Sequence, residues 1–200
     1  MTSRGTISII EDAILLQREP QWSLIVNPFH RKNFILIQKG RSMIIDVVVA
    51  STSRYNSFGP VTDPDRAEDL SGKIILERIS RAGHTGKYQL LPDGIEPIQQ
   101  AVKSSTADAI VICGGTGLTR LDQTIEAAEP LFEKRLPGFG EIFRWQSMQE
   151  VGTRAMLTRA AAGVHRKRPV FCLPGSPAAA RLGIELILAE IDHILKHVAE

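Results

Sequence analysis

The chain has 200 residues, of which 43% are hydrophobic and 23% charged, and its formal net charge is +2. This length and composition are typical of one globular domain of ordinary size with a substantial core. The small net charge gives no argument for a nucleic-acid partner, and no apolar run is long enough to span a bilayer. The N-terminus lacks the basic-then-apolar order of a secretory signal, so we expect a cytoplasmic protein with no membrane partner.

Residues 1–42 differ from the rest of the chain in charge and pattern. They hold six basic and three acidic residues, so a small positive excess lies in this segment while the remainder is near neutral. Short apolar clusters occur at residues 7–10, 24–26 and 34–37, separated by proline or glycine. These clusters predict either a few short strands or an ill-ordered arm. We interpret residues 1–42 as an N-terminal extension and residues 43–200 as the functional domain.

From residue 43 onward, strand-like and helix-like segments alternate. Apolar runs of strand length and helical spacings of apolar residues predict strands at 43–50, 87–91, 109–113 and 169–173, and helices at 70–82, 96–102, 124–133, 149–162 and from about 177 to near the C-terminus. Such alternation is typical of a three-layer α/β/α fold, with a mostly parallel sheet between helices. In such sheets ligands bind beyond the carboxyl ends of the strands. We therefore expect four loops to converge on one edge of the sheet, namely residues 51–55, 92–94, 114–122 and 174–177.

The loop at residues 114–122 carries the clearest chemical signal. A buried strand ending at Cys113 is followed by three glycines within four residues, then by Asp122 and a helix-like segment. Glycine lets an anion approach the backbone without meeting a Cβ atom, and successive exposed amides can form an anion-binding concavity. Asp122 beside a phosphate suggests a shared Mg²⁺ ion. The alternative is a tight turn in which Asp122 caps the following helix.

Two stricter phosphate motifs are absent from this loop. Neither lysine nor serine follows Gly117 at the spacing of a P-loop, and Arg120 stands where a dinucleotide-binding loop has its third glycine. The two cysteines, Cys113 and Cys172, each end an apolar run. They are interpreted as buried thiols in a reducing compartment, with a reactive Cys113 as the alternative.

Several short motifs together resemble one known family. They are Ser-Thr-Ser-Arg-Tyr at 51–55, Gly-His at 83–84 with Leu-Pro-Asp at 91–93, Gly-Gly-Thr-Gly-Leu-Thr at 114–119 with Asp122, Leu-Pro-Gly-Phe-Gly-Glu at 136–141, and Leu-Pro-Gly-Ser-Pro at 173–177. In order and spacing they resemble the MoaB/MogA family of molybdenum cofactor biosynthesis proteins, the molybdopterin adenylyltransferases. The resemblance covers residues 43–198. Residues 1–42 lie outside it.

The resemblance implies an enzyme that joins AMP from MgATP to molybdopterin and releases pyrophosphate. It also implies a homotrimer or a trimer-based hexamer. By motif position, Asp122 and Asp93 match the family's two essential aspartates, and Asp122 is the residue expected to contact Mg²⁺. The residues matching the ligand-binding positions are Ser51, Gly114, Gly115, Thr116, Gly117, Thr119, Glu141, Arg144, Ser147, Pro174, Gly175 and Ser176.

Other interpretations of these residues stay open at this point. Glu141 and Arg144 could be solvated loop charges, and Ser176 could cap the last helix. The family usually has proline and arginine before the second aspartate, where this chain has Arg120 and Leu121, and Gln123 replaces a small apolar residue. These departures favour a second hypothesis, a module that binds molybdopterin, or serves in assembly, without catalysis. The sequence does not distinguish molybdenum from tungsten as the metal finally used.

Overall fold

The computed structural model describes residues 41–200 and, before them, the backbone of four strands. The strands are β1 (Thr6–Ile10), β2 (Ala13–Gln17), β3 (Trp22–Val26) and β4 (Phe34–Gln38). β1 pairs with β2 and β3 pairs with β4, both in antiparallel register. The chain divides into two compact units, Met1–Arg41 and Ser42–Glu200. That residues 43–200 fold without the first unit stays a prediction.

The second unit is built on a six-stranded sheet. Its strands are β5 (Ile44–Ala50), β6 (Thr85–Leu91), β7 (Ala109–Cys113), β8 (Lys134–Arg135), β9 (Ala161–His165) and β10 (Arg168–Leu173). Their spatial order is β6-β5-β7-β10-β9-β8. The first four strands in this order are parallel, whereas β9 is antiparallel to both of its neighbours. The expected mostly parallel sheet is confirmed.

Helices cover both faces of this sheet. They are α1 (Thr52–Phe58), α2 (Leu70–Arg81), α3 (Ile95–Ser104), α4 (Thr124–Ala128), α5 (Pro137–Val151) and α6 (Pro177–Ala199). Because successive side chains of a strand point to opposite faces, Val47 and Val49 join a core with α2, α5 and α6. Val48 and Ala50 join a second core with α3 and α4. The predicted three-layer α/β/α fold is confirmed.

Two of the predicted elements are wrong. The polar segment 51–55, expected as a loop, begins α1, where the Ser51 side chain accepts a hydrogen bond from the backbone N–H of Arg54. The helix expected at 149–162 is instead the end of α5, a 3-10 turn (Gly152–Leu157) and strand β9. β9 forms because its small residues allow close packing: a Cβ atom at Gly163 would collide with the ring of Phe132.

The two edges of the six-stranded sheet differ. β8 consists only of Lys134 and Arg135, and both side chains are exposed. At the other edge the backbone N–H of Leu90, in β6, donates to the carbonyl of Val61 at 3.1 Å, so the loop before α2 covers part of that strand. No helix in the described part of the chain is long and apolar enough to cross a membrane.

Candidate active site

The four predicted loops meet in one pocket at the carboxyl ends of the parallel strands. The chain runs from β5 outward to β6 and then returns to β7 on the other side of β5, which makes β5 the switch point where ligands bind in such sheets. The pocket has a volume of about 400 Å³. Its lining residues are Val49, Ala50, Ser51, Arg54, Asp69, Asp93, Cys113, Gly114, Gly115, Thr116, Gly117, Asp122, Leu157, Thr158, Pro174 and Gly175.

Backbone hydrogen bonds hold these loops together. The N–H of Ser51 donates to Leu91 at 2.9 Å, and the N–H of Gly114 donates to Leu173 at 2.9 Å. Gly114 has a φ of +103°, and a Cβ atom there would collide with the carbonyl oxygen of Ala50. Only glycine therefore fits between β5 and the loop after β7 without displacing backbone.

Asp93 reaches the pocket from the loop after β6. One of its carboxylate oxygens, Oδ2, accepts hydrogen bonds from the backbone N–H of Thr52 at 2.7 Å and from its hydroxyl at 2.8 Å. The other oxygen, Oδ1, lies beside the glycine loop, 3.1 Å from the position that a Cβ atom of Gly115 would occupy. One oxygen is thus anchored to the start of α1 while the other faces the loop.

Asp122 is held within its own loop. Its Oδ2 accepts hydrogen bonds from the backbone N–H of Thr119 at 2.9 Å and from the Thr119 hydroxyl at 2.6 Å. Burial favours the neutral carboxyl, but the hydrogen bonds from Thr119 and Gly117 and the charge of Arg159 outweigh it, so the pKa of Asp122 is lowered. Asp122 is therefore ionised at neutral pH. Its side chain does not cap α4, because the residue at the N-cap is Gln123, which makes no side-chain capping bond.

Two charged residues of the pocket were missed from the sequence. Arg54, on α1, is the cation among the lining residues, and Asp69 is a buried third carboxylate. Asp69 caps α2 through the backbone N–H groups of Ser71 and Gly72, at 3.1 Å each, and accepts from the hydroxyl of Tyr88 at 2.9 Å. The sequence did hold a signal for Arg54, because it is the basic residue of the polar motif directly after β5, where an anion would bind.

Five residues expected to bind ligand do not line this pocket. Thr119 contacts Asp122, and Ser176 accepts from the N–H of Ala179 at 3.2 Å as the N-cap of α6. The other three lie on α5, where Arg144 donates to the carbonyl of Ala160 at 3.2 Å, Glu141 is exposed and Ser147 is half-buried. α5 begins at Pro137, so Glu141 and Arg144 lie on a helix and not in a loop. Their ligand contacts stay predictions.

Neither cysteine is bonded to another cysteine. Cys113 and Cys172 are free, buried thiols, and burial raises the pKa of each to about 12. The interpretation of both as buried thiols is confirmed, and the raised pKa disfavours the reactive thiolate form of Cys113. Across the described residues, no three His, Cys, Asp or Glu side chains come together as a metal site.

Comparison with known proteins agrees with this geometry. Residues 46–193 match the family described as "Probable molybdopterin binding domain". The molybdopterin adenylyltransferase of Pyrococcus furiosus is 44% identical over 156 residues, which cover 72% of this chain and 91% of that protein. The molybdenum cofactor biosynthesis protein B of Bacillus subtilis is 40% identical over 137 residues, covering 65% and 81%.

A solved structure shows the same fold. The tungsten cofactor synthesizing protein MoaB of Pyrococcus furiosus superposes with a TM-score of 0.68 at 38% identity, covering 80% of this chain and 99% of that one. The motifs quoted from the sequence, the pocket at the switch point and these matches agree with one another. The chain therefore belongs to the molybdopterin-binding domain family that includes the MoaB and MogA proteins.

Proposed function

We propose that this protein is a molybdopterin adenylyltransferase, which joins AMP from MgATP to molybdopterin and releases pyrophosphate. The observation that carries the proposal is the pair of anchored aspartates, Asp93 and Asp122, on either side of a glycine loop at the switch point. The relative from Pyrococcus furiosus named for this activity supports it.

The reaction needs positioning and charge stabilisation more than a side-chain nucleophile. An oxygen of the terminal phosphate of molybdopterin attacks the α-phosphorus of ATP, and the bond between that phosphorus and the oxygen bridging to the β-phosphate breaks. Two anionic groups must therefore be brought together. In the glycine loop the amides of Gly114 and Gly117 already bond to Leu173 and Asp122, so the amides of Gly115 and Thr116 are the ones offered to an anion. Arg54 supplies a positive side chain in the same pocket.

The aspartates fit a magnesium ion that arrives with the nucleotide. Mg²⁺ in such sites is held by one or two carboxylates together with substrate phosphates. Asp93 keeps Oδ1 toward the glycine loop, and the lowered pKa of Asp122 keeps it ionised. When bound, Mg²⁺ would offset phosphate charge in the transition state. A site completed by phosphates needs no third protein ligand.

An apolar surface beside the pocket supports the proposed homotrimer or trimer-based hexamer. Trp145, on α5, has 63% of its surface exposed. The exposed apolar side chains of α5 and the following turn are Ile142, Trp145, Met148, Val151, Met156 and Leu157. Contiguous surfaces of this kind mark protein interfaces. Leu157 also lines the pocket, so the proposed interface would border the ligand.

The two thiols fit the expected cytoplasmic location. Cys113 and Cys172 are both free and fully buried. Unpaired cysteines of this kind are usual in reducing compartments. The substrates of the proposed reaction, ATP and molybdopterin, are likewise expected there.

The proposal is tested by incubating the pure full-length protein with molybdopterin and MgATP and measuring adenylated pterin and pyrophosphate. We expect product with the parent protein and with Asp63→Ala, which removes an exposed carboxylate outside the pocket. Asp122→Ala should lose most turnover while retaining the fold, because its two bonds to Thr119 lie at an exposed loop. A variant that adenylates at the parent rate would refute the role of Asp122.

One structural observation favours the binding-only function as the second candidate. Arg120 and Leu121 are exposed and do not line the pocket, so no arginine lines the pocket at the position where the family has one before its second aspartate. Binding of molybdopterin with no adenylated product, at any Mg²⁺ concentration tried, would establish that function instead.

A further inference from the structure

One arginine outside the pocket contacts both ends of the loop that carries Asp122. The Nε of Arg159 donates to the carbonyl of Thr116 at 3.2 Å, and its Nη2 donates to the carbonyl of Asp122 at 3.0 Å. Five residues lie between Thr116 and Asp122, and four of them are exposed, namely Leu118, Thr119, Arg120 and Leu121. A single planar guanidinium thus spans a loop that has no proline to restrict it.

Glu126 holds the same guanidinium from a third direction. Its carboxylate contacts Nη1 through Oε1 and Nη2 through Oε2, the latter at 3.3 Å. The hydrogen bond from Arg159 is the largest cause of the lowered pKa of Glu126, and outweighs partial burial. Glu126 lies on α4, which begins two residues after Asp122. Arg159 is therefore the shared partner of the start of the loop, the end of the loop and the helix that follows it.

Arg159 also follows directly on a second segment that lines the pocket. It follows Leu157 and Thr158, which both line the pocket, and precedes Ala160, whose carbonyl accepts from Arg144 at 3.2 Å. The guanidinium is not among the groups that line the pocket, and its hydrogen bonds go to the carbonyls of Thr116 and Asp122 and to Glu126.

We propose that Arg159 is a positioning residue, which fixes the loop from Thr116 to Asp122 against the 157–160 segment so that the Asp122 carboxylate faces the pocket. Lysine cannot replace it, because an ammonium group has no planar fork to reach two carbonyls and a carboxylate together. The inference rests on the proposed function only for the role of Asp122. That Arg159 holds the loop does not depend on the proposed function.

The first test measures the loop and does not depend on activity. Amide hydrogen exchange is compared in the parent protein, in Arg159→Ala, in Arg159→Lys, and in the control Arg135→Lys. The control removes the guanidinium of an exposed ion pair with Glu129 elsewhere in the fold. We expect faster exchange at residues 117–122 in both Arg159 variants and parent rates in the control. Equal exchange at 117–122 in all four proteins overturns the proposal.

The second test separates positioning from general stability. A loop displaced by about 1 Å can cost on the order of 100-fold in rate, so we expect kcat of Arg159→Ala to fall by about that factor with little change in KM. Added guanidinium ion should restore part of kcat, because the cavity left by the side chain keeps Glu126 and both carbonyls. A loss confined to KM, or no rescue by guanidinium, overturns the role. If even the parent protein makes no product, the proposed function fails, while the exchange test still decides the loop.

Discussion

Gly114→Ala tests whether the pocket depends on the close approach of β5 and the glycine loop. The φ of +103° disfavours any residue with a side chain, at about 1–3 kcal/mol. The added methyl would also collide with the carbonyl oxygen of Ala50. Forcing an extra group into a packed site costs about 1–3 kcal/mol more. The free energy of unfolding should therefore fall by about 2–6 kcal/mol.

Gly59→Ala is the matched control for this substitution. Gly59 also has a positive φ, +69°, but a Cβ atom there has nothing within 4 Å. The free energy of unfolding of Gly59→Ala should therefore fall only by the cost of the positive φ, about 1–2 kcal/mol. Urea denaturation followed by circular dichroism would give both values, and thermal unfolding should separate the two variants by about 2–4 °C per kcal/mol in a chain of this size.

The difference between the two variants is the decisive quantity. If Gly114→Ala is as stable as Gly59→Ala, the steric argument at Ala50 is wrong and the loop is more adaptable than the structure indicates. An insoluble Gly114→Ala protein beside a soluble Gly59→Ala protein would be the extreme form of the expected result.

Four further predictions concern the aspartates, the buried thiol and the domain boundary. Asp93→Asn should keep the fold and lower kcat at least 100-fold, and an unchanged kcat would remove Asp93 from the site. Because the pKa values of Asp122 and Glu126 are lowered in the fold, both groups stabilise it fully when the pH is above their ordinary pKa values of 3.8 and 4.5. This stabilisation is lost as the pH falls through the lowered pKa values. On acidification, the free energy of unfolding should therefore fall less in the double variant Asp122→Asn with Glu126→Gln than in the parent protein. Equal slopes of this free energy against pH in the two proteins would contradict the lowered pKa values. With a pKa near 12, Cys113 should resist iodoacetamide at pH about 8 until the protein is unfolded, and rapid labelling of the native protein would show an accessible thiol. A chain starting at Met43 should fold and keep its ligand affinity; insolubility or a changed oligomeric state would make residues 1–42 part of the assembly.

The sequence was most informative where one pattern had one physical cause. The strand Ala109–Cys113 is buried on both faces, and its uninterrupted apolar run predicts that burial. The helix Leu70–Arg81 buries one face, so its apolar residues recur at helical spacing. In both cases packing and local preference favour the same structure.

The prediction failed where packing overrode local preference. In β9, Ala161 and Ala162 favour a helix, but the pairing with β10 and the packing of Phe132 on Gly163 make the segment a strand. α5 exposes apolar side chains such as Trp145, so its apolar residues do not mark a single buried face.

The candidate site was predictable in part for a similar reason. Glycines and aspartates at strand ends are visible as motifs, and the family resemblance predicts roles for them. Arg159 lies in an alanine-rich segment and acts on backbone carbonyls from 37 to 43 residues earlier in the chain. Carbonyl groups are present at every residue, so a contact of this kind leaves no sequence signal.

The short strand β8 has a consequence for solubility and assembly. Exposed sheet edges invite strands of other molecules to pair with them, and proteins limit this with short strands and charged residues. Here one edge offers only Lys134 and Arg135, and the other edge has its Leu90 amide already bonded to Val61. Growth of the sheet from one copy to the next is therefore hindered at the β8 edge and, around Leu90, at the β6 edge. We expect copies of residues 42–200 to associate through side chains on helices, and to resist fibril formation as long as the fold is intact.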